Sequence, residues 1–387
     1  MKLGKPLVDE VSEFSSVLKV RYARHVVIPG IGLSGQKRLA NAKVLCIGAG
    51  GLGSPVLLYL AAAGVGTLGI VDHDLVDESN LQRQIIHGEA DIGSPKTRSA
   101  KERIHEINSA VKINIYSQGI NRENALEIIS DYDVVVDATD NFATRYLIND
   151  ACVLLKKPCV WGSIYRFDGQ ASVFFSTVGP CYRCLHPEPP AKELAPNCAV
   201  GGVFGVLCAT IGSVQATETI KLITGVGEVM VGELLIYDAL DSSFEKITLK
   251  KDPTCPICST NPTQTGLMDD YDAFCSVSLF EKNEFDVPLI SASGLQELLA
   301  SGTNFQLVDV REPDEWEEGI INPALLLPQG EFYSGAAVTQ LSQENPIILY
   351  CKSGQRSANC AVALTKAGFK DVASLDGGMI AWDALQV

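Results

Sequence analysis

The sequence predicts an α/β protein with a Rossmann-like domain on a mixed sheet, followed by a small α/β domain. Three observations lead to this fold class. An apolar strand, a glycine-rich turn, a helix and a second strand follow one another over residues 43–72, which is the order of a βαβ unit. Residues 159–177 and 228–249 alternate as antiparallel strands do. A second α/β pattern begins near residue 285.

The individual elements are short and follow from the hydrophobic pattern. In the first domain we predict two helices within residues 16–41, separated by Pro29-Gly30, then strands at 43–47, 67–72 and 134–138 around a helix at 54–63. Residues 197–217 lack charge, but Pro196 and four glycines indicate a loop entering a buried helix rather than a membrane span. In the second domain we predict strands at 289–290, 306–310 and 346–350 and a helix at 293–300.

The polar, Asp-rich composition of residues 259–284 is typical of a linker. We therefore predict a Rossmann-like domain over residues 1–258, a linker over 259–284 and a second domain over 285–387.

Composition narrows the possible functions. The formal charge of −15 argues against a nucleic-acid partner. The first residues carry acids and lack the apolar core of a signal peptide, so we expect a cytoplasmic protein without membrane association. In such a chain, twelve cysteines indicate metal binding or thiol chemistry rather than disulfides.

A glycine-rich turn after the first strand predicts a nucleotide site. Its backbone can approach a phosphate at the N-terminus of the following helix. The next strand ends in Asp72-His73-Asp74, about twenty residues further on, where an acid binds a ribose hydroxyl. This pattern fits NAD, FAD or ATP. The glycines are Gly48, Gly50, Gly51 and Gly53.

Two cations favour ATP chemistry over hydride transfer. Arg83 and Lys96 follow the acidic strand end. Hydride transfer has no obvious need for them, whereas attack of a carboxylate on an α-phosphate builds negative charge that they would stabilise. Asp140, in the strand-end motif Ala-Thr-Asp-Asn141, is well placed to bind Mg²⁺.

Two CxxC pairs predict a structural Zn²⁺ site, because four thiolates complete a tetrahedral shell and leave no position for water. A redox role for either pair would need a thioredoxin-like context, which neither segment offers. The predicted ligands are Cys181, Cys184, Cys255 and Cys258.

A further cysteine loop predicts sulfur chemistry. Cys351-Lys-Ser-Gly-Gln-Arg356 joins an apolar strand to a helix that we expect to begin near Ser357. Backbone N–H groups there can hold a persulfide anion, and Arg356 adds positive charge. Cysteine-dependent phosphatases have five residues between Cys and Arg, whereas this loop has four, which favours sulfur transfer.

The ordered motifs Arg21-Tyr-x-Arg24, GAGGLG, DHD, SNLQRQ, GSPK and ATDN, over residues 16–260, resemble the MoeB/ThiF branch of ubiquitin-activating-type enzymes. The resemblance implies a homodimer that uses ATP to adenylate the C-terminal glycine of a ubiquitin-like carrier of the MoaD/ThiS type. It implies that Arg24 reaches the ATP phosphates of the other subunit and that Arg83 and Lys96 clamp the phosphates directly. The remaining nucleotide-site residues implied by these motifs are Asp72, Asp74, Ser79, Asn80, Gln82, Asp140 and Asn141.

Residues 285–387 resemble a single rhodanese domain through residues 307–316, the Cys351 loop and residues 376–382. Residues 319–324 read Gly-Ile-Ile-Asn-Pro-Ala, where that family usually has Gly-His-Ile-x-Gly-Ala, and this departure leaves the cysteine loop intact.

Cys198 has a glycine-flanked setting that suits a thiol reaching an acyl-adenylate, and the resemblance places a conjugating cysteine in this context. We expect five cysteines to pack in cores, namely Cys46, Cys152, Cys159, Cys208 and Cys360.

The resulting hypothesis joins both domains. ATP and Mg²⁺ activate a carrier ending in Gly-Gly, and Cys351, loaded with persulfide by a donor such as a cysteine desulfurase, attacks the acyl-adenylate. Cys198 or an external thiol then releases a thiocarboxylate. Molybdopterin, thiamine, thiolated tRNA and cysteine synthesis all use this chemistry. Three alternatives stay open: a dinucleotide-dependent oxidoreductase, a stand-alone thiosulfate sulfurtransferase and a non-catalytic binding module.

Overall fold

The computed structural model describes residues 5–11, 20–190, 202–275, 287–333 and 335–385. The chain divides into two compact units, Met1–Ser278 and Leu279–Val387. Within the described ranges, no helix is both long enough and apolar enough to cross a lipid bilayer.

The first unit is built on an eight-stranded sheet in the order β3-β2-β1-β4-β5-β6-β7-β8. Strands β1 to β5 pair in parallel, and β5 to β8 pair antiparallel, so the predicted mixed sheet is confirmed. The strands are β1 Lys43–Ile47, β2 Thr67–Val71, β3 Lys112–Tyr116, β4 Val134–Asp137, β5 Cys159–Tyr165, β6 Asp168–Phe174, β7 Glu233–Asp238 and β8 Ser243–Thr248.

Helices cover both faces of this sheet. They are α1 Ala23–Val26, α2 Gly32–Asn41, α3 Gly53–Ala63, α4 Lys96–Ile107, α5 Ala125–Ser130, α6 Phe142–Leu154, α7 Tyr182–Leu185, α8 Gly205–Thr224 and α9 Tyr271–Cys275. Short 3₁₀ turns lie at Glu78–Asn80 and Glu89–Asp91. The predicted buried helix in the uncharged stretch is α8. Helix α2 begins at Gly32, three residues before the start that the sequence pattern predicts around Gly35.

Strand β1 shows why the parallel half of the sheet reads as continuous apolar sequence. Val44 and Cys46 belong to the hydrophobic cluster on one face, and Leu45 and Ile47 belong to the cluster on the other. Because helices cover both faces, every residue of this strand after the first is buried.

Part of the segment predicted as a linker lies against the first unit. Gln264 Nε2 and the Tyr271 hydroxyl both donate to Asp150 Oδ2, at 2.7 and 2.9 Å. On the surface, Arg122 Nη2 donates to Asp269 Oδ1 at 2.7 Å. Residues 259–275 therefore add side chains to the core around helix α6 in spite of their polar composition.

The second unit is a five-stranded parallel sheet in the order β11-β10-β12-β13-β9. On β12, Ile347 and Leu349 pack on one face while Ile348 and Tyr350 pack on the other. The elements are β9 Leu289–Ile290, α10 Ala292–Ser301, β10 Gln306–Asp309, a 3₁₀ turn Pro313–Glu318, β11 Leu325–Leu326, α11 Gln329–Tyr333, α12 Ala336–Gln340, β12 Ile347–Tyr350, α13 Gln355–Lys366, β13 Val372–Leu375 and α14 Gly378–Asp383.

A buried ion pair organises the turn after β10. Arg311 is 1 % exposed, and its Nε and Nη2 donate to the Asp309 carboxylate at 3.0 and 2.7 Å. Its remaining donors bond the carbonyl oxygens of Glu315 and Gly319, at 3.1 and 2.7 Å. Trp316 Nε1 also donates to Asp309, at 2.7 Å. Arg311 thus fixes the whole turn Pro313–Glu318 against the core.

Candidate functional site

A pocket lies at the C-terminal ends of β1, β2 and β4, the place where open parallel sheets bind ligands. Most of the predicted nucleotide-binding residues meet in its wall. These are Gly48, Gly50, Gly51, Asp72, Asp74, Arg83, Lys96, Asp140 and Asn141.

The glycine-rich loop needs glycine at two positions for different reasons. Gly48 has φ +98°, and a Cβ on it would lie 2.6 Å from the Ala138 carbonyl oxygen at the end of β4. A Cβ on Gly53 would collide with the Gly48 carbonyl oxygen, so Gly53 is required for packing and does not line the pocket. These glycines let the loop run directly against the end of β4.

Asp72 joins the end of β2 to this loop. Its Oδ2 accepts a hydrogen bond from the Ala49 backbone N–H at 2.8 Å, and its Oδ1 accepts one from Asp74 N–H at 2.9 Å. The carboxylate therefore lies in the pocket wall, and backbone N–H groups that follow β1 and β2 fix its position.

Lys96, the first residue of α4, is 6 % exposed, and its Nζ donates to Asp74 Oδ2 at 2.8 Å. Burial raises the pKa of Asp74, but the hydrogen bond and charge of Lys96 outweigh it, so this pKa lies below its usual value. The pair places one buried cation in the pocket wall.

Asp140 and Asn141 occupy the junction between β4 and α6. Asn141 caps the helix, because its Oδ1 accepts from Thr144 N–H at 2.9 Å. Asp140, one residue earlier, is exposed at the pocket. Its carboxylate is therefore available to a cation or ligand.

Other predicted residues lie outside this wall. Ser79 N–H and Asn80 Oδ1 bond Asp77 and so build the turn before Arg83, whose Nη1 donates to Ser79 O at 3.0 Å. Gln82 packs beneath Gly205 at the start of α8. Ser79, Asn80 and Gln82 are absent from the pocket lining of this chain, as is Arg24, which is exposed on α1.

Arg145 is a pocket residue that the sequence analysis did not identify. It is 7 % exposed, and its Nη2 donates to Thr139 O at 3.0 Å. Its Cζ lies 5.4 and 5.7 Å from the ring centroids of Phe142 and Trp161. Its place one turn into the helix after Asn141 was the available signal. Further unpredicted lining residues include His73, Gln84, Thr139, Thr144, Ile164, Val203 and Cys208.

The two CxxC pairs come together away from this pocket. All four Sγ atoms lie within 4.8 Å of one another. The recorded separations are 3.9 Å for Cys181–Cys184, 3.6 Å for Cys181–Cys255 and 3.4 Å for Cys184–Cys258. A tetrahedron with metal–sulfur bonds of about 2.3 Å has edges of about 3.8 Å, so the four thiols fit one Zn²⁺ ion.

Cys351 follows the end of β12 and is fully buried. Ser357 Oγ lies 3.6 Å from its Sγ and accepts from Ser374 Oγ at 2.9 Å. Helix α13 begins at Gln355, two residues before the predicted start, because Gly354 adopts φ +90° as its N-cap. The loop between Cys351 and the helix is therefore shorter than expected.

Arg356 lies beside this cysteine but is already paired. Its Nη1 and Nη2 donate to the Glu315 carboxylate at 2.6 and 2.7 Å.

The turn at residues 319–324, which departs from the usual rhodanese sequence, is attached to the core, because Ile321 N–H donates to the Tyr350 hydroxyl at 3.1 Å. The five cysteines expected in cores are all buried, although Cys208 also lines the nucleotide-type pocket. Cys198 lies outside the described residues.

Comparisons with known proteins cover both units. The model of the ThiF family matches residues 22–257, and that of the rhodanese-like domain matches residues 291–385. The chain is 50% identical over 382 residues to the probable adenylyltransferase/sulfurtransferase MoeZ of Mycobacterium tuberculosis, covering 97% of this chain and 96% of that protein. It is 51% identical over 262 residues to the sulfur carrier protein adenylyltransferase of Thermus thermophilus, covering 66% and 96%.

Two further comparisons have lower sequence identity. The adenylyltransferase and sulfurtransferase MOCS3 of Mus musculus is 40% identical over 392 residues, covering 94% of this chain and 85% of that protein. Among solved structures, E. coli MccB with MccA-N7isoASN gives a TM-score of 0.55 at 21% identity, covering 64% of this chain and 76% of that chain, which shows a shared fold. The chain belongs to the ThiF family and carries a C-terminal rhodanese-like domain.

Proposed function

We propose that this protein adenylates the C-terminal glycine of a ubiquitin-like sulfur-carrier protein with ATP and then transfers persulfide sulfur to it as a thiocarboxylate. One observation carries the proposal: a single chain holds a strand-end pocket lined by three aspartates and three cationic side chains, and a separate strand–loop–helix cysteine. The names of the relatives, sulfur carrier protein adenylyltransferase and adenylyltransferase/sulfurtransferase, support both halves.

In the adenylation half, each pocket residue has a chemical role. Asp72 would bind the ribose, and Arg83 and Lys96 would stabilise the negative charge that develops on the phosphates. Because Lys96 Nζ donates to Asp74, its ammonium is held in place rather than free to rotate. Asp140 has the exposed carboxylate that Mg²⁺ prefers, and the ion would neutralise phosphate charge when bound.

In the sulfur-transfer half, the terminal sulfur of a persulfide on Cys351 attacks the acyl-adenylate carbonyl and AMP leaves. A second thiol, from Cys198 or an external donor, then attacks the Cys351 sulfur. The electron pair of the broken S–S bond goes to the carrier, which leaves as the thiocarboxylate, and a disulfide stays behind. A cysteine desulfurase is the class of donor that would load Cys351.

The four clustered cysteines would hold a structural Zn²⁺ ion, since all positions of a tetrahedral shell are filled by protein thiolates. We also propose a homodimer, in which Arg24 acts on the nucleotide of the other subunit. The exposure of Arg24 and its separation from its own pocket are consistent with that role.

The experiment that tests this function is carrier-dependent exchange of labelled pyrophosphate into ATP, with candidate carriers that end in Gly-Gly. We expect exchange to require the carrier, to be lost in Lys96→Ala and to survive in Cys351→Ala. The matched controls are Lys101→Ala, on the same helix outside the pocket, and Cys360→Ala, a buried cysteine of the second unit.

Each failure has a distinct meaning. If protein that binds ATP shows no exchange with any carrier, the adenylation proposal is wrong. If exchange occurs but Cys351→Ala still forms thiocarboxylate from a persulfide donor, the assignment of Cys351 is wrong. Tight NADH binding would instead favour an oxidoreductase.

A further inference from the structure

Three arginines in the described ranges are more than nine-tenths buried, and two of them have carboxylate partners. Arg183 donates two hydrogen bonds to Asp150, at 2.8 and 2.9 Å, and Arg311 does the same to Asp309. A buried guanidinium needs such a partner, because desolvation of its charge is costly. Arg145 is the third and forms no ion pair within the described residues.

The surroundings of Arg145 leave part of its guanidinium unsatisfied. It bonds one backbone carbonyl, Thr139 O, and stacks on two aromatic rings. Its Nε has no hydrogen-bond partner in the described part of the chain. Asp137 is the nearby carboxyl, and its Oδ1 accepts hydrogen bonds from the backbone N–H and the hydroxyl of Thr139, at 3.0 and 2.6 Å, but no ion pair joins it to Arg145 within the described ranges. Arg145 nevertheless lines the pocket, where a ligand can reach it.

The sheet order places Arg145 on the side of the pocket opposite to the ribose acid. Asp72 follows β2, and the glycine-rich loop follows β1. Arg145 follows β4 and stacks on Trp161 of β5, while Ile164 of β5 forms the neighbouring wall. In the order β2-β1-β4-β5, a nucleotide whose ribose lies at β2 directs its phosphates across β1 towards β4. Arg145 therefore lies at the β4–β5 end of the pocket, beyond the glycine-rich loop, where a group other than the ribose can contact it.

We propose that Arg145 binds the carboxylate of the carrier's terminal glycine and so positions the attacking oxygen. Planar carboxylates are the groups that a guanidinium fork bonds best, as Arg183 and Arg311 demonstrate in the same chain. This inference rests on the proposed function and adds a substrate-binding residue to it.

The test measures binding rather than turnover. The probe is a carrier that supports pyrophosphate exchange, prepared with a C-terminal carboxylate or with a C-terminal carboxamide of the same sequence. Affinities are measured by calorimetry with the α,β-methylene analogue of ATP bound, so that adenylation cannot occur. We expect wild-type protein to prefer the carboxylate form by about tenfold to a hundredfold.

The variants separate a binding role from a structural one. We expect Arg145→Gln to abolish the carboxylate preference while changing affinity for the ATP analogue by less than about threefold, and Arg145→Lys to retain part of the preference. Arg103→Gln, an exposed arginine on α4, is the matched control and should behave as wild type.

Three outcomes would overturn the inference. They are a wild-type protein with no preference for the carboxylate, an Arg145→Gln variant that keeps the full preference, and a variant that loses affinity for the ATP analogue instead. The first needs no variant, so the inference is testable even if Arg145→Gln does not fold. If no carrier supports exchange, the proposed function itself fails first.

Discussion

Arg356 donates two hydrogen bonds to the carboxylate of Glu315, at 2.6 and 2.7 Å. The arginine belongs to the first turn of helix α13, next to the Cys351 loop, and the glutamate belongs to the turn that Arg311 fixes in place. The orientation of the cation beside the cysteine therefore depends on a turn about forty residues earlier in the chain.

This pair gives the second unit a defined response to acid. Burial raises the pKa of Glu315, but the Arg356 hydrogen bonds more than offset it, so the folded-state pKa lies below 4.5. The unfolded chain therefore binds the proton first as the pH falls. We expect about 1 kcal/mol of stability to be present above pH 4.5 and to be lost as the pH falls through the folded-state pKa.

Hydrogen exchange, measured on peptides from β12 and β13 in the full-length chain, reports the pH dependence of the stability of the second unit. Glu315→Gln should be less stable at pH 7 and should lose this component of the pH dependence. Glu317→Gln is the matched control, because Glu317 is exposed and lies two residues away. An unchanged pH profile in Glu315→Gln would contradict the prediction.

Replacement of Arg311 should lower the stability of the second unit much more than loss of the Glu315–Arg356 pair. Arg311→Lys keeps the charge but cannot reproduce the two bonds to Asp309 together with those to the Glu315 and Gly319 carbonyls. We expect a loss of about 3 kcal/mol in the free energy of unfolding of the second unit. Urea unfolding followed by hydrogen exchange measures it, and Arg122→Lys, at the exposed pair with Asp269, should cost less than about 1 kcal/mol. A loss below 1 kcal/mol for Arg311→Lys would be inconsistent with the buried network.

Metal binding at the four-cysteine cluster should be measurable directly. We expect about one Zn²⁺ per chain, and Cys255→Ser should lower the zinc content and the unfolding temperature of the first unit, because a structural metal adds its binding free energy to folding. Cys275→Ser, at a half-buried cysteine outside the cluster, should keep the metal. Full zinc content in Cys255→Ser, measured by plasma mass spectrometry, would exclude this cysteine as a ligand.

Sequence patterns predicted the buried strands well and the polar contacts poorly. Strands β1 and β12 are buried on both faces, so their apolar runs were unambiguous. Edge strand β3 is half exposed and alternates weakly, and it was not predicted. The segment around Gln264 and Tyr271 was interpreted as linker because its anchor, Asp150, lies more than a hundred residues earlier. Such contacts depend on tertiary structure, which local composition does not contain.

The same limit applies to the pocket. Sequence motifs indicated Asp72, Arg83, Lys96 and Asp140, because these residues come after the ends of predicted strands in the sequence. Arg145 lies one turn into helix α6, and this position after Asn141 was the one sequence feature that separated it from an ordinary surface arginine. Its burial comes from Phe142 and Trp161, and only the second of these is distant in sequence.

Asp140 should control the metal requirement of adenylation. Its exposed carboxylate lies at the pocket, directly before the Asn141 helix cap, so Asp140→Asn changes the charge without removing the cap. We expect pyrophosphate exchange to fall by at least about tenfold, and the Mg²⁺ concentration for half-maximal exchange to rise, because a neutral amide is a weaker ligand for a hard cation. A Mg²⁺ titration at saturating ATP measures both. Asp131→Asn, an exposed aspartate before β4, should leave the titration unchanged. If Asp140→Asn lowers exchange while the Mg²⁺ requirement stays constant, Asp140 acts on the substrate rather than through the ion.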